Sequence, residues 1–189
     1  ASTTSRLTLA VPEGVPLILL QEADAETAPQ ANARVLDART DPREVLLVVE
    51  SLASHTAMAG ASMLIVDDDP AMLDLLRAIG EGAGMFVETI STAEGIEAAL
   101  ETHRPALLLM DIDLPGVDGV TATRRVRANR RFTELPLVLV SANSSPEVRA
   151  AAFAAGADDF QAKPVVAAEV TRRIARLLEV HRQRLLSRG

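Results

Sequence analysis

The chain has 189 residues, a formal charge of −7, 48% hydrophobic residues, four Phe, and no Tyr, Trp or Cys. The acidic balance and scarce aromatics argue against a surface that tracks phosphates or stacks bases, so no nucleic-acid partner is expected. Without Cys there are no disulfides or thiolate metal sites, and a reducing cytoplasm is the plain expectation.

The N-terminal stretch LTLAVPEGVPLILL is broken by Pro12, Glu13, Gly14 and Pro16, which makes it a poor signal peptide. No apolar run approaches the roughly 20 residues that span a bilayer, so no membrane association is expected. Residues 1–52 read as an additional α/β segment, and 53–62, ASHTAMAGAS, as a linker. From Met63 onward, short apolar runs alternate with segments of helical period. MLIV (63–66) precedes a helix over PAMLDLLRAIGEGAG, with Met72, Leu73, Leu75, Leu76 and Ile79 on one stripe. MFVETI (85–90) reads as a strand and TAEGIEAALETH as a helix. ALLLM (106–110) is a strand, followed beyond a turn by a helix over GVTATRRVRANRR. LPLVLV (135–140) is a strand, and SPEVRAAAFAAGA a helix closed by Gly156. DDFQA (158–162) is a short strand before a long helix from about Val165 towards Leu186. Five βα units with near-continuous apolar strands predict a parallel sheet covered by helices on both faces. In such sheets, function gathers outside the carboxyl ends of the strands.

Those ends share a chemistry. MLIV runs into Asp67, Asp68 and Asp69, ALLLM into Asp111, LPLVLV into Ser141, and DDFQA into Lys163-Pro164. Eighteen of the 19 basic residues are Arg, so Lys163 is the only lysine, and it falls on this edge. Asp67, Asp68 and Asp111 bring about three negative charges together, which raises their pKa values unless something positive compensates. Mg²⁺, a hard cation that favours carboxylate and phosphate oxygens, fits such a place. With Lys163 and the metal the rim comes near neutral, and it can hold the further charge of about −1.5 to −2 that a phosphoryl group brings. A carboxylate can serve as the phosphoryl nucleophile.

IVDDDP, LLLMDIDLPGVDG, LVLVSAN and DDFQAKP, in that order and spacing, resemble the receiver domain of bacterial two-component response regulators over residues 63 to about 180. The resemblance implies a doubly wound, flavodoxin-like α/β fold with strand order 2-1-3-4-5. It implies that Asp111 is the phosphoacceptor, that Asp68 ligates Mg²⁺ directly with Asp67 assisting, and that Asp113 lends its backbone carbonyl. Ser141 takes the Ser/Thr switch position, Lys163 pairs with the phosphoryl group, and Phe160 fills the aromatic switch position. A histidine kinase or phosphotransfer protein is the implied donor, and no external metabolite is turned over. Phosphorylation is expected to draw in Ser141, let Phe160 pack inward, and shift a face made by the last two strand–helix units, often used for homodimerisation. The side chain of Asp113 falls where the family varies, and is expected to face Asn143.

Blander readings stand beside these. Asp69-Pro70 suits a helix cap, Asp118-Gly119 suits turn chemistry, and Phe160 suits a core position. His55, His103 and His181 have no metal-ligand spacing, and the Arg run of the last helix suits a solvated face. Residues 181–189 extend the helix past what a receiver needs, as if towards an output domain that this chain lacks. Residues 15–52 also resemble the last two βα units of a second receiver. Pro16-Leu17 aligns with Pro136-Leu137 and Ala38-Arg39 with Ala162-Lys163, which sets Gln21 at the switch serine and Arg39 at the lysine. The rival from another class is a phosphatase of the haloacid dehalogenase type, whose Asp-x-Asp nucleophile motif MDIDLP imitates. In that family the motif lies on the first strand, whereas here DDD comes first. A third reading is a phosphate-independent interaction module.

Overall fold

A computed structural model describes residues 17–21, 33–37 and 41–187. The chain divides into two units, Ala1–Thr56 and Ala57–Gly189. In the first, strands β1 (Leu17–Gln21) and β2 (Ala33–Asp37) pair in parallel, and helix α1 follows (Pro42–Met58). Helix α1 runs on to Met58, whose side chain is fully buried, so the segment read as a linker is helical for most of its length.

The second unit begins with β3 (Ser62–Val66) and alternates strands with helices: α2 (Pro70–Gly82), β4 (Phe86–Ile90), a 3₁₀ turn, α3 (Ile96–His103), β5 (Leu107–Asp111), α4 (Gly119–Ala128), β6 (Leu137–Ser141), α5 (Pro146–Ala155), β7 (Asp159–Ala162) and α6 (Ala167–Leu186). The five strands form one parallel sheet in the order β4-β3-β5-β6-β7. Counted within this unit, that is the expected 2-1-3-4-5.

The apolar runs of β3, β5 and β6 are continuous because both faces of those strands are buried. Successive side chains point to opposite faces. Leu64, Val66, Leu108, Met110, Leu137, Leu139 and Phe160 pack against α3, α4 and α5. Met63, Ile65, Leu107, Leu109, Val138 and Val140 pack against α2 and α6 through Leu76, Val170, Ile174 and Leu178. Among the described residues, the polar strand ends are therefore carried on a deeply buried frame.

In the smaller sheet Gln21 pairs with Asp37, and α1 starts at Pro42. The aligned pair Ala38-Arg39 lies outside the described residues.

Helix α4 starts at a cap of its own. Asp118 accepts hydrogen bonds from the Thr121 backbone N–H at 2.9 Å and the Thr121 hydroxyl at 2.8 Å. The Thr121 N–H, more than any other cause, holds the Asp118 carboxyl below its usual pKa, with burial opposing. Asp118→Ala should cost about 1 kcal/mol. The sign follows from linkage: a carboxyl with a depressed folded pKa contributes above its unfolded pKa and loses that contribution as pH falls through the folded value. Urea unfolding should therefore show a gap between the two proteins at about pH 7 that closes towards about pH 3. A gap independent of pH would assign the loss to something other than the charged cap.

Candidate functional site

Four strand ends meet at the carboxyl edge. Backbone hydrogen bonds carry the ladders just past the strands: Asp67 N–H donates to Ile90 O, Ile112 N–H to Val140 O and Lys163 N–H to Ser141 O, at 3.3, 2.9 and 2.8 Å. The side chains that follow each strand are thereby set by the sheet itself.

Lys163 joins the two buried acids. Its Nζ lies 2.8 Å from Asp111 Oδ1 and donates to Asp67 Oδ2 at 3.0 Å. The two carboxylate side chains are almost fully buried, and the lysine side chain is 21% exposed. Each acid uses its other oxygen locally: Asp69 N–H donates to Asp67 Oδ1, and Asp113 N–H to Asp111 Oδ2. Burial pushes the Asp111 carboxyl above its usual pKa; Lys163 pulls it down, and the charges of Asp67 and Asp113 push it up again. For Lys163, burial works against the ammonium, but contacts with Asp111 and Asp67 outweigh it and hold the pKa above the ordinary value.

Carboxylate oxygens of Asp67, Asp68 and Asp111 lie within 4.8 Å of one another, and Asp68 is exposed. Asp111 Oδ1 is buried, with the Lys163 ammonium at 2.8 Å. Three carboxylates so close together offer hard oxygen donors that suit a divalent cation such as Mg²⁺. Asp69 stands apart from them: its carboxylate accepts from Ala71 N–H and caps α2, with Pro70 in the first turn.

The serine end differs from expectation. Ser141 Oγ–H donates to Asp113 Oδ2 at 3.1 Å, while Asn143 N–H donates to Ser141 Oγ at 3.0 Å. Asp113 therefore reaches the hydroxyl rather than the Asn143 side chain, which accepts from Ser145 N–H. Phe160 is already inside, 1% exposed, with the Arg149 guanidinium 5.2 Å from its ring centre.

Gly119 exceeds the turn role read from Asp118-Gly119. A Cβ built there would lie 2.2 Å from the Asp111 carbonyl oxygen and 2.8 Å from Ile112 Cα. The start of α4 passes so close behind Asp111 that only hydrogen fits. Gly116, at φ +80°, makes the turn that brings it there.

A family model for the response regulator receiver domain matches residues 63–175. The phosphate regulon transcriptional regulatory protein PhoB of Rhizobium meliloti is 33% identical over 123 residues, 65% of this chain and 54% of that protein. The chain thus spans about half the length of such curated relatives. The receiver domain of the Pseudomonas aeruginosa sensor histidine kinase PA1611, solved with a magnesium ion coordinated in its active-site cleft, is 30% identical with a TM-score of 0.60, over 64% of this chain and 99% of that one. The BeF₃-activated N-terminal receiver domain of Klebsiella pneumoniae RstA is 28% identical with a TM-score of 0.58, over 62% of this chain and 97% of that one. These matches favour neither the phosphatase nor the phosphate-independent module. The order of the acidic strand ends, the 2-1-3-4-5 sheet and these similarities agree, and the chain belongs to the response regulator receiver family.

Proposed function

We propose that Asp111 is the phosphoacceptor of this receiver, charged from a phosphohistidine of a histidine kinase or of a phosphotransfer protein. The observation that carries the proposal is the convergence of the only lysine, 2.8 Å from Asp111 Oδ1, with Asp67 and Asp68 at the same rim. An Asp111 carboxylate oxygen attacks phosphorus; the new P–O bond forms as the P–N bond to imidazole breaks, and the electron pair leaves with the nitrogen. The buried frame holds Asp111 in place, so positioning and charge neutralisation supply the catalysis. Lys163 compensates the added charge, and the Ser141 hydroxyl supplies a donor for a phosphoryl oxygen. Asp67, Asp68, Asp111 and the backbone carbonyl of Asp113 would hold Mg²⁺, which supplies neutralisation of phosphoryl-oxygen charge.

The domain acts on no external metabolite and catalyses only its own phosphorylation and dephosphorylation. Its readout is a shift of the α5–β7–α6 face, available for a homodimer or an output domain. No helix among the described residues is long and apolar enough to cross a membrane, which accords with work in the cytoplasm. The parallel pair β1–β2 followed by α1 supports reading residues 15–52 as the last two βα units of a second receiver.

The test is incubation with Mg²⁺ and a small phosphodonor, followed by intact-mass measurement. One phosphate per chain is expected, with incorporation falling to background in Asp111→Asn. Repeated release of phosphate from unrelated monoesters, or incorporation that survives Asp111→Asn, would overturn the assignment.

A further inference from the structure

Asp113 contributes two groups to this site, and they do different things. Its backbone carbonyl belongs to the metal-binding arrangement proposed above, and that group is untouched by any change of side chain. Its carboxylate is engaged elsewhere, on the hydroxyl of Ser141. We propose that this carboxylate is a latch: it holds the Ser141 hydroxyl in a disengaged orientation and so sets the free energy of switching. The inference rests on the receiver reading of Asp111 and adds to it a positioning residue that regulates the same site.

The argument begins with the hydroxyl's hydrogen-bonding capacity. A serine has one proton to donate. Here that proton is directed to Asp113 Oδ2 at 3.1 Å, and the oxygen in turn accepts the Asn143 N–H at 3.0 Å. Ser141 is fully buried, so no bulk water is at hand to replace a lost partner. A phosphoryl oxygen on Asp111 can gain this proton only if Asp113 gives it up. The exchange is between two anionic acceptors, so neither bond is cheap to lose.

The surroundings make this exchange a distinct step at the rim. Phe160 is already packed inward beneath Arg149, so ring burial does not stand in the way. Lys163 is already on Asp111. The β6–β7 ladder continues through Lys163 N–H to Ser141 O at 2.8 Å, which fixes the backbone of both residues. The direction of the Ser141 hydroxyl is then a change at the rim that a phosphoryl oxygen requires. Asp113 itself is exposed, so its carboxylate can turn away into solvent once released.

The latch predicts a coupling, not merely an electrostatic effect. Removing an acid near an anion site eases anion binding whatever that acid touches, and such an effect persists when Ser141 is absent. A latch acts only through the hydroxyl. Beryllofluoride binding with Mg²⁺, followed by ¹⁹F NMR on the full chain, measures the difference in wild type, Asp113→Ala, Ser141→Ala and the double variant. Asp113→Ala should bind beryllofluoride about tenfold more tightly than wild type, the scale of one charge-assisted hydrogen bond. In the Ser141→Ala background the same change should have less than about a twofold effect. Asp113→Asn, which keeps an acceptor and loses the charge, should fall between wild type and Asp113→Ala. A readout without any phosphoryl mimic runs alongside: the Asn143 amide, bonded to the Ser141 oxygen, should shift in the nitrogen–proton spectrum of Asp113→Ala. Equal gains from Asp113→Ala with and without Ser141 would overturn the latch and leave the receiver reading intact. Wild-type protein that takes no beryllofluoride would remove both.

Discussion

Lys163→Met lowers the stability of the metal-free protein by about 3 kcal/mol, and Mg²⁺ restores most of that loss. The expectation follows from what the ammonium holds apart. Asp67 and Asp111 are almost fully buried, and both are paired to the same Nζ, at 3.0 and 2.8 Å. Removing one member of a buried ion pair typically costs about 3–5 kcal/mol, because the remaining charge keeps its desolvation penalty. The lysine side chain is 21% exposed, so some water reaches the group and the lower end of that range applies. A divalent cation bound among the carboxylates supplies the missing positive charge, and any ligand selective for the folded state stabilises it by mass action. The variant should therefore show a larger rise in Tm on adding Mg²⁺ than wild type, together with a fall in phosphate incorporation. Thermal unfolding with and without Mg²⁺, in parallel with intact-mass analysis, checks both halves. A stability deficit that Mg²⁺ leaves unchanged would mean that charge compensation is not what the lysine provides.

Gly119→Ala is expected to damage stability and phosphoryl chemistry together. The added methyl meets Asp111 O at 2.2 Å and Ile112 Cα at 2.8 Å, and both are backbone atoms that no side-chain rotation can move aside. The same turn is tied by Gly119 N–H donating to Ile112 O at 2.8 Å. Relief must come from displacing the start of α4 or the end of β5, at a cost of about 1–3 kcal/mol typical of overpacking. Because the displaced backbone carries Asp111, incorporation should fall well beyond what the fraction unfolded explains. Gly82→Ala is the internal control: nothing lies within 4 Å of the added carbon, and the residue ends a helix. It should be as stable as wild type or slightly more so, since alanine restricts the unfolded chain. Urea midpoints for the pair, with phosphate incorporation measured well below each midpoint, separate the two effects. Full incorporation by folded Gly119→Ala would show that the Asp111 backbone tolerates the shift.

Much of this was readable from residues alone, for a physical reason. Strands buried on both faces must be apolar throughout, so the first polar residue after each run marks where the sheet ends. Asp67, Asp111 and Ser141 are legible in that way, Lys163 stands out as the only lysine after the short strand DFQA, and the parallel topology brings the four to one rim. The sequence missed whatever depends on local crowding or on the direction of a single bond. ASHTAMAG has the small and polar residues of a linker, yet Met58 is fully buried and the helix continues to it. Ala53, Ala57 and Met58 are themselves good helix formers, so the composition that reads as a linker also permits the helix. Gly119 looks like turn chemistry in a string of letters, because only coordinates reveal the carbonyl behind it. The Ser141–Asp113 bond needed side-chain orientations that no periodicity encodes.

The three backbone bonds that prolong the ladders past the strand ends have a consequence for how such a protein can diverge. The reactive groups hang from the sheet, while Phe153 of α5 and Leu186 of α6 stand exposed on the helices. A substitution on such a helix surface should therefore leave in place the backbone that carries the rim.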